Sequence, residues 1–257
     1  MPRSSLAIIG MGAFGRFMLP HLAPHFDIVI TDHASAPRDA IESLASASGA
    51  KASAVEDAAA ASVIVLAVPV QALPAVLTQI APSITPSSLV LDVCSVKLEP
   101  IALMQRLLPP SVESVSLHPL FGPQSGKDGI AGLPIALCPS RAEPSTLEAV
   151  EQFLSSALQL HVIQTSAEDH DRQMAYVQGL THFLSRALGT MDLPQTPMAT
   201  RAYERFLAMK ADLHADSLDL FLTIERHNPF AKGVRSQLLS ALEALERQIG
   251  PSPLPPS

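Results

Sequence analysis

The sequence predicts an α/β fold: a mostly parallel sheet covered by helices, followed by an all-helical remainder. Three observations carry this. Short β-branched runs alternate with helical stretches up to about residue 165. Two of the runs, residues 62–68 (SVIVLAV) and 88–93 (SLVLDV), are apolar at nearly every position, as strands buried on both faces of a parallel sheet are. Beyond Thr165 the strand signals stop and only helical spacing continues.

In order, residues 5–9 form an apolar strand that ends at Gly10. A helix spans residues 13–22, with Pro20 expected to kink it or end it early, because proline lacks the amide that an interior position needs. Residues 26–31 make a second strand, 38–47 a helix, and 53–61 an Ala-rich stretch before the strand at 62–68. A helix at 73–80 is broken by Pro82 and Pro86, and the strand at 88–93 follows. The helix at 98–108 stops at Pro109 and Pro110, and a short strand at 114–117 leads into His118 and Pro119. Strands at 133–138 and 160–165 flank a helix at 145–158. Residues 167–191 then read as one long helix, 192–197 as a break, and 198–227 and 232–249 as further helical spacing. The expected division is residues 1–165, a helical domain at 166–250, and a Pro-rich disordered tail at 251–257.

Composition excludes several function classes. The chain has 257 residues, 47% hydrophobic and 16% charged, which suits one or two packed domains and not a disordered segment. A net charge of −7 without a basic cluster, together with no Trp, speaks against a nucleic-acid partner. No apolar run is long enough for a membrane helix, and the N-terminus carries no secretory signal pattern. Two cysteines make neither a disulfide framework nor a zinc site, no metal-ligand spacing stands out, and a reducing cytoplasm is expected.

Gly10-x-Gly12-x-x-Gly15 follows a strand and opens a helix, the context in which a glycine turn binds a diphosphate. Gly10 permits the turn, Gly12 lets the backbone approach the phosphates, and Gly15 allows close helix–sheet packing, while the amides around Ala13 and Phe14 face the charge. Asp32 lies 22 residues after Gly10 at the end of the second strand, where a carboxylate bonds the adenosine ribose and favours NAD over NADP. The other reading of Asp32 is a strand-end turn cap, and His33 or Arg38 nearby could tolerate the extra phosphate of NADP. This is a Rossmann-like dinucleotide domain, with Val68 and Pro69 expected beside the nicotinamide half.

Four segments combine with the glycine turn: LAVPV (66–70), DVCSVK (92–97), HPLFGPQSGKDG (118–129) and EDHDRQMAYVQGLTHF (168–183). Together they resemble the prephenate and arogenate dehydrogenases of tyrosine biosynthesis along nearly the whole chain. The chain resembles the short plant-type arogenate dehydrogenases in particular, through HPLFGPQSGKDG and TRAYERFLAMKADLHADSLDLF (200–221). The resemblance implies NAD(P)-dependent oxidation and decarboxylation of arogenate or prephenate. It implies that His118 accepts the substrate's hydroxyl proton and that Ser95 holds the same hydroxyl. Gln178 and His182, an i, i+4 pair, match family positions facing the substrate, and Thr200 lies in the matched stretch. Asp216 would pair with the ammonium of arogenate, a group that prephenate lacks.

Some assignments stay open. Arg201 and Arg205 are both candidates for the substrate's side-chain carboxylate, or exposed helix-face charges. Lys97 is either a solvated strand-end charge or an attractor for the anionic substrate. His170 receives no role. A homodimer through the helical domain is expected, because its apolar faces exceed what one subunit buries. A different two-domain dehydrogenase would need a catalytic Lys near residues 170–180, and none is present. A cofactor-binding regulatory protein without turnover would have no need of both Ser95 and His118.

Overall fold

The computed structural model describes residues 3–32, 37–214 and 217–250, residues 210–214 by backbone alone. The chain divides into two compact units, Met1–His170 and Asp171–Ser257. The first unit alternates strands and helices. They are β1 (Ser5–Ile9), α1 (Ala13–Leu22), β2 (Asp27–Thr31), α2 (Arg38–Ser48), β3 (Lys51–Ala52), α3 (Val55–Ala58) and β4 (Val63–Leu66). Next come α4 (Leu73–Ile80), β5 (Leu89–Asp92), α5 (Leu98–Leu107), β6 (Glu113–Pro119), β7 (Pro134–Arg141), α6 (Pro144–Gln152) and β8 (His161–Gln164).

The strands form one 8-stranded sheet in the order β3-β2-β1-β4-β5-β6-β7-β8. Every pair is parallel except β6 and β7. Strand alternation gives the sheet two apolar faces. Leu6, Ile8, Ile28 and Ile30 pack with Leu19 and Leu22 of α1, Ile41 of α2 and Val150 of α6. Ala7, Ile9, Ile64, Leu66 and Val90 pack on the other face with Leu73, Leu77 and Ile80 of α4 and Leu103 and Met104 of α5. Both-face burial explains why β4 and β5 read as continuous apolar runs.

Pro20 lies inside α1, which ends two residues later at Leu22. Near the last turn the missing amide removes one bond from a helix that is already finishing. Two-residue β3 gave no periodic signal, since a period of two needs a longer run to be visible.

Across the long helical pattern the structure has α7 (Ala167–Met174), a π-helical segment Ala175–Leu180, and α8 (Thr181–Gly189). The second unit continues with α9 (Arg201–His214), α10 (Leu218–His227) and α11 (Ala231–Ile249). The helical spacing at 198–227 therefore holds two helices. Ser217 explains the restart: its hydroxyl accepts the Leu220 amide at 3.1 Å and caps α10. Inside this unit Arg235 pairs with the buried Glu225. Burial raises the Glu225 carboxyl, and the Arg235 guanidinium opposes that shift. Residues 251–257 and Asp216 lie outside the described residues, as does His33.

Candidate active site

Because β1, β4, β5 and β6 run parallel, their carboxyl ends share one sheet edge, where ligands of such sheets bind. At β1 this edge carries the glycine turn. Gly10 has φ +106°, and a Cβ there would lie 2.5 Å from the Ala67 carbonyl oxygen, so only glycine allows β1 to turn against the end of β4. A Cβ on Gly15 would overlap the Gly10 carbonyl oxygen, so the start of α1 sits directly on the turn. Gly12 differs: it is exposed and a Cβ there would meet nothing. The α1 N-terminus has no side-chain cap and no acidic residue in its first turn. Its amides, with exposed Ala13 and half-buried Phe14, are open to an anion, and a dinucleotide's diphosphate fits this cradle.

Asp32 follows β2 and its Oδ2 accepts the Met11 amide at 3.1 Å. The carboxylate therefore braces the glycine turn, as the turn-capping reading expects. Val68 and Pro69 follow β4. Val68 packs against Gly10, and Pro69 is exposed.

The polar end of the site is built on β5 and β6. Val115 and Leu117 point into one core, so Ser114, Ser116 and His118 point to the other face of the sheet. Asp92 ends β5 opposite Ser116. Its Oδ1 takes the Lys97 ammonium at 2.6 Å and the Cys94 amide at 3.0 Å, and Ser116 donates to Oδ2. Lys97 also donates to the Leu117 carbonyl at 2.6 Å, one residue before His118. Neither open reading of Lys97 describes it: the side chain is fully buried as a structural ion pair. A carboxylate closing an apolar strand needs such a partner, and that was the available signal. Ser95 is half-buried in the turn between Cys94 and Lys97. Burial, then the Asp92 charge, pushes the Cys94 thiol up, so it stays protonated.

His118 is 2% exposed. Its Nδ1 lies 2.8 Å from Nε2 of His170, in the first turn of α7. Burial, the nearby His170 and the Lys97 ammonium, in that order, hold the His118 imidazole well below its ordinary pKa. A neutral imidazole at a strand's carboxyl end is equipped to accept a proton. His170, assigned no role from the sequence, had the weak signal of a lone His inside a helical pattern.

The second unit carries the other candidates. Half-buried Gln178 lies in the π-helical segment and buried His182 in α8. Thr200 caps α9, its hydroxyl accepting the Tyr203 amide at 3.2 Å. Arg201 and Arg205 are exposed one turn apart on α9. Among the described residues there is no cluster of three or more His, Cys, Asp or Glu that could hold a metal ion, and no helix is long and apolar enough to cross a membrane. An apolar cavity of about 370 Å³ lies between the sheet, α1 and α6. Its lining has no ionisable side chain, so it does not suit a dinucleotide or a polar acid.

A family model described as prephenate dehydrogenase, nucleotide-binding domain, matches residues 19–163. One described as TYRAAT1-like, C-terminal domain, matches residues 187–251. The chain is 32% identical over 167 residues to arogenate dehydrogenase 2, chloroplastic, of Arabidopsis thaliana, covering 63% of this chain and 47% of that one. It is 27% identical over 195 residues to a probable arogenate/prephenate dehydrogenase of Methanocaldococcus jannaschii, covering 72% and 43%. The chain thus spans about half the length of these relatives or less. Among solved structures, prephenate dehydrogenase from A. aeolicus in complex with hydroxyphenyl propionate and NAD+ has a TM-score of 0.75 at 16% identity, covering 97% of this chain and 91% of that one. Synechocystis arogenate dehydrogenase has a TM-score of 0.71 at 18% identity, covering 96% and 94%. At such identities these two show the shared fold.

Proposed function

Since the chain belongs to the prephenate dehydrogenase family through its nucleotide-binding domain, we propose that it oxidises and decarboxylates arogenate, or prephenate, with hydride transfer to NAD. The observation that carries this is a buried, neutral His118 on the sheet edge that also carries the glycine turn. When bound, the nicotinamide supplies the hydride acceptor. The glycine turn and the α1 amides hold the diphosphate, Asp32 faces the ribose, and Val68 and Pro69 flank the nicotinamide half. His118 takes the proton from the ring hydroxyl as hydride leaves the same carbon. Ser95 holds that hydroxyl in line. The ring carboxylate departs as carbon dioxide, its bonding electrons pass through the ring to the former hydroxyl oxygen, and that phenolate recovers the proton from His118 as the ring becomes aromatic, so electrons and protons balance.

Gln178, His182, Thr200, Arg201 and Arg205 are the second unit's candidates for contact with the substrate. Thr200 would act through the α9 cap and the arginines through the side-chain carboxylate. Asp216 is proposed from the sequence as the partner of arogenate's ammonium. The Asp32 carboxylate at the end of β2, where the 2′-phosphate of NADP would be repelled, supports NAD, and NADP is the alternative to exclude by assay. A homodimer through the helical unit is supported by α11, where Leu238, Leu242, Leu245 and Ile249 recur at helical spacing and the last three are exposed. Both cysteines are buried and free, which suits a reducing compartment such as the cytoplasm.

The test is reduction of NAD or NADP by purified protein given arogenate or prephenate, with tyrosine or 4-hydroxyphenylpyruvate identified as product. Absence of reduction with all four pairs overturns the proposal.

A further inference from the structure

We propose that His170 is a positioning residue for His118: it accepts the Nδ1–H of His118 and thereby fixes the tautomer whose unprotonated Nε2 meets the substrate hydroxyl. This rests on the reading of His118 as the base given above.

The rings face each other through His118 Nδ1 and His170 Nε2 at 2.8 Å, in an edge-on arrangement with a 68° interplanar angle. A contact at this distance holds one proton between the two nitrogens, so one ring donates and the other accepts. If His170 donated, His118 would carry its proton on Nε2 and could accept nothing from a hydroxyl. If His118 donates, Nε2 presents its lone pair, and the ring is a base. The bond made by one ring nitrogen sets the state of the other.

The scaffold fixes both rings. His118 pairs with Ala136 of β7, and the next residue, Leu137, pairs with Gln164 of β8. Thr165 continues that ladder by donating to the Leu137 carbonyl at 3.0 Å. Ser166 then starts α7: its hydroxyl accepts the Asp169 amide at 3.0 Å, and its carbonyl accepts the His170 amide at 2.9 Å. The two histidines, 52 residues apart in sequence, are thus both anchored to β7, His118 through its pairing with Ala136 and the start of α7 through the bond from Thr165 to Leu137. Each is 2% exposed, so water does not compete freely for the bond between them.

The test uses the full chain with NAD bound, in wild type, His170→Leu and His170→Gln. Glutamine places a carboxamide oxygen near the Nε2 position and keeps an acceptor; leucine does not. His170→Leu should lower kcat about 10- to 100-fold, the usual effect of losing a supporting partner, with KM for NAD unchanged. His170→Gln should recover most of that loss. Nitrogen NMR of histidine-labelled protein, assigned with His118→Asn, should show His118 protonated on Nδ1 in wild type and His170→Gln, and a mixture of tautomers in His170→Leu. His118 protonated on Nε2 in wild type overturns the proposal, and so does an equal loss of kcat in both variants with an unchanged tautomer. If His170→Leu does not fold, wild type and His170→Gln still decide. The NMR result does not depend on turnover, so it separates this proposal from failure of the dehydrogenase reading, which would appear as wild-type protein inactive on both substrates.

Discussion

His118 is an imidazole kept neutral by its surroundings. Burial removes the solvation a charged ring needs, and His170 and the Lys97 ammonium oppose a further positive charge. The acid limb of kcat/KM should therefore lie below the ordinary 6.5. A limb at or above that value would remove His118 as the controlling base. The same depression makes stability depend on pH. As pH falls through about 6.5 the unfolded chain binds a proton at this position while the folded chain does not. Stability is thus lost from about 6.5 down to the lower folded value, and His118→Asn should flatten the thermal-melting profile across that window. The same variant should lower turnover by about 10²- to 10⁴-fold with NAD affinity retained in a binding titration. Lys97 is decisive in another way. Replacing it by Met leaves a buried Asp92 carboxylate without its cation, which should cost about 3–5 kcal/mol in urea unfolding. The double variant Lys97→Met/Asp92→Leu should recover much of that loss, because no buried charge is left alone.

The turn between β1 and α1 separates packing from binding. Gly15 touches the Gly10 carbonyl, so Gly15→Ala should destabilise the chain by about 1–3 kcal/mol. Gly12 faces open space, so Gly12→Ala should melt like wild type yet bind NAD more weakly, its methyl intruding where the diphosphate approaches. Equal melting losses for both variants would contradict this division. At the start of α10 the Ser217 hydroxyl satisfies the Leu220 amide, and Ser217→Ala should cost about 1 kcal/mol. The strands and long helices were legible because their periods repeat over several residues. The restart at Ser217 was not, because apolar spacing continues on both sides of it and a single cap does not break a periodic pattern.

For the whole molecule, the open question of assembly has a direct measure. Leu242→Glu with Leu245→Glu puts two carboxylates on the exposed stripe of α11, and sedimentation should shift from dimer to monomer. A wild-type chain that already sediments as a monomer would overturn the dimer proposal. The sequence by itself determined the α/β class, the parallel strands, the glycine turn and the place of His118 before Pro119. Each is a local pattern, set by backbone freedom or by side-chain period over a few residues. Only the tertiary structure decided what surrounds His118. Asp92, Lys97 and Ser116 form a buried network because β5 and β6 pair in one register. His170 meets His118 because β7 carries β6 on one side and β8 on the other. Residues distant in sequence become neighbours through strand order and register, and no local pattern encodes which nitrogen will face which.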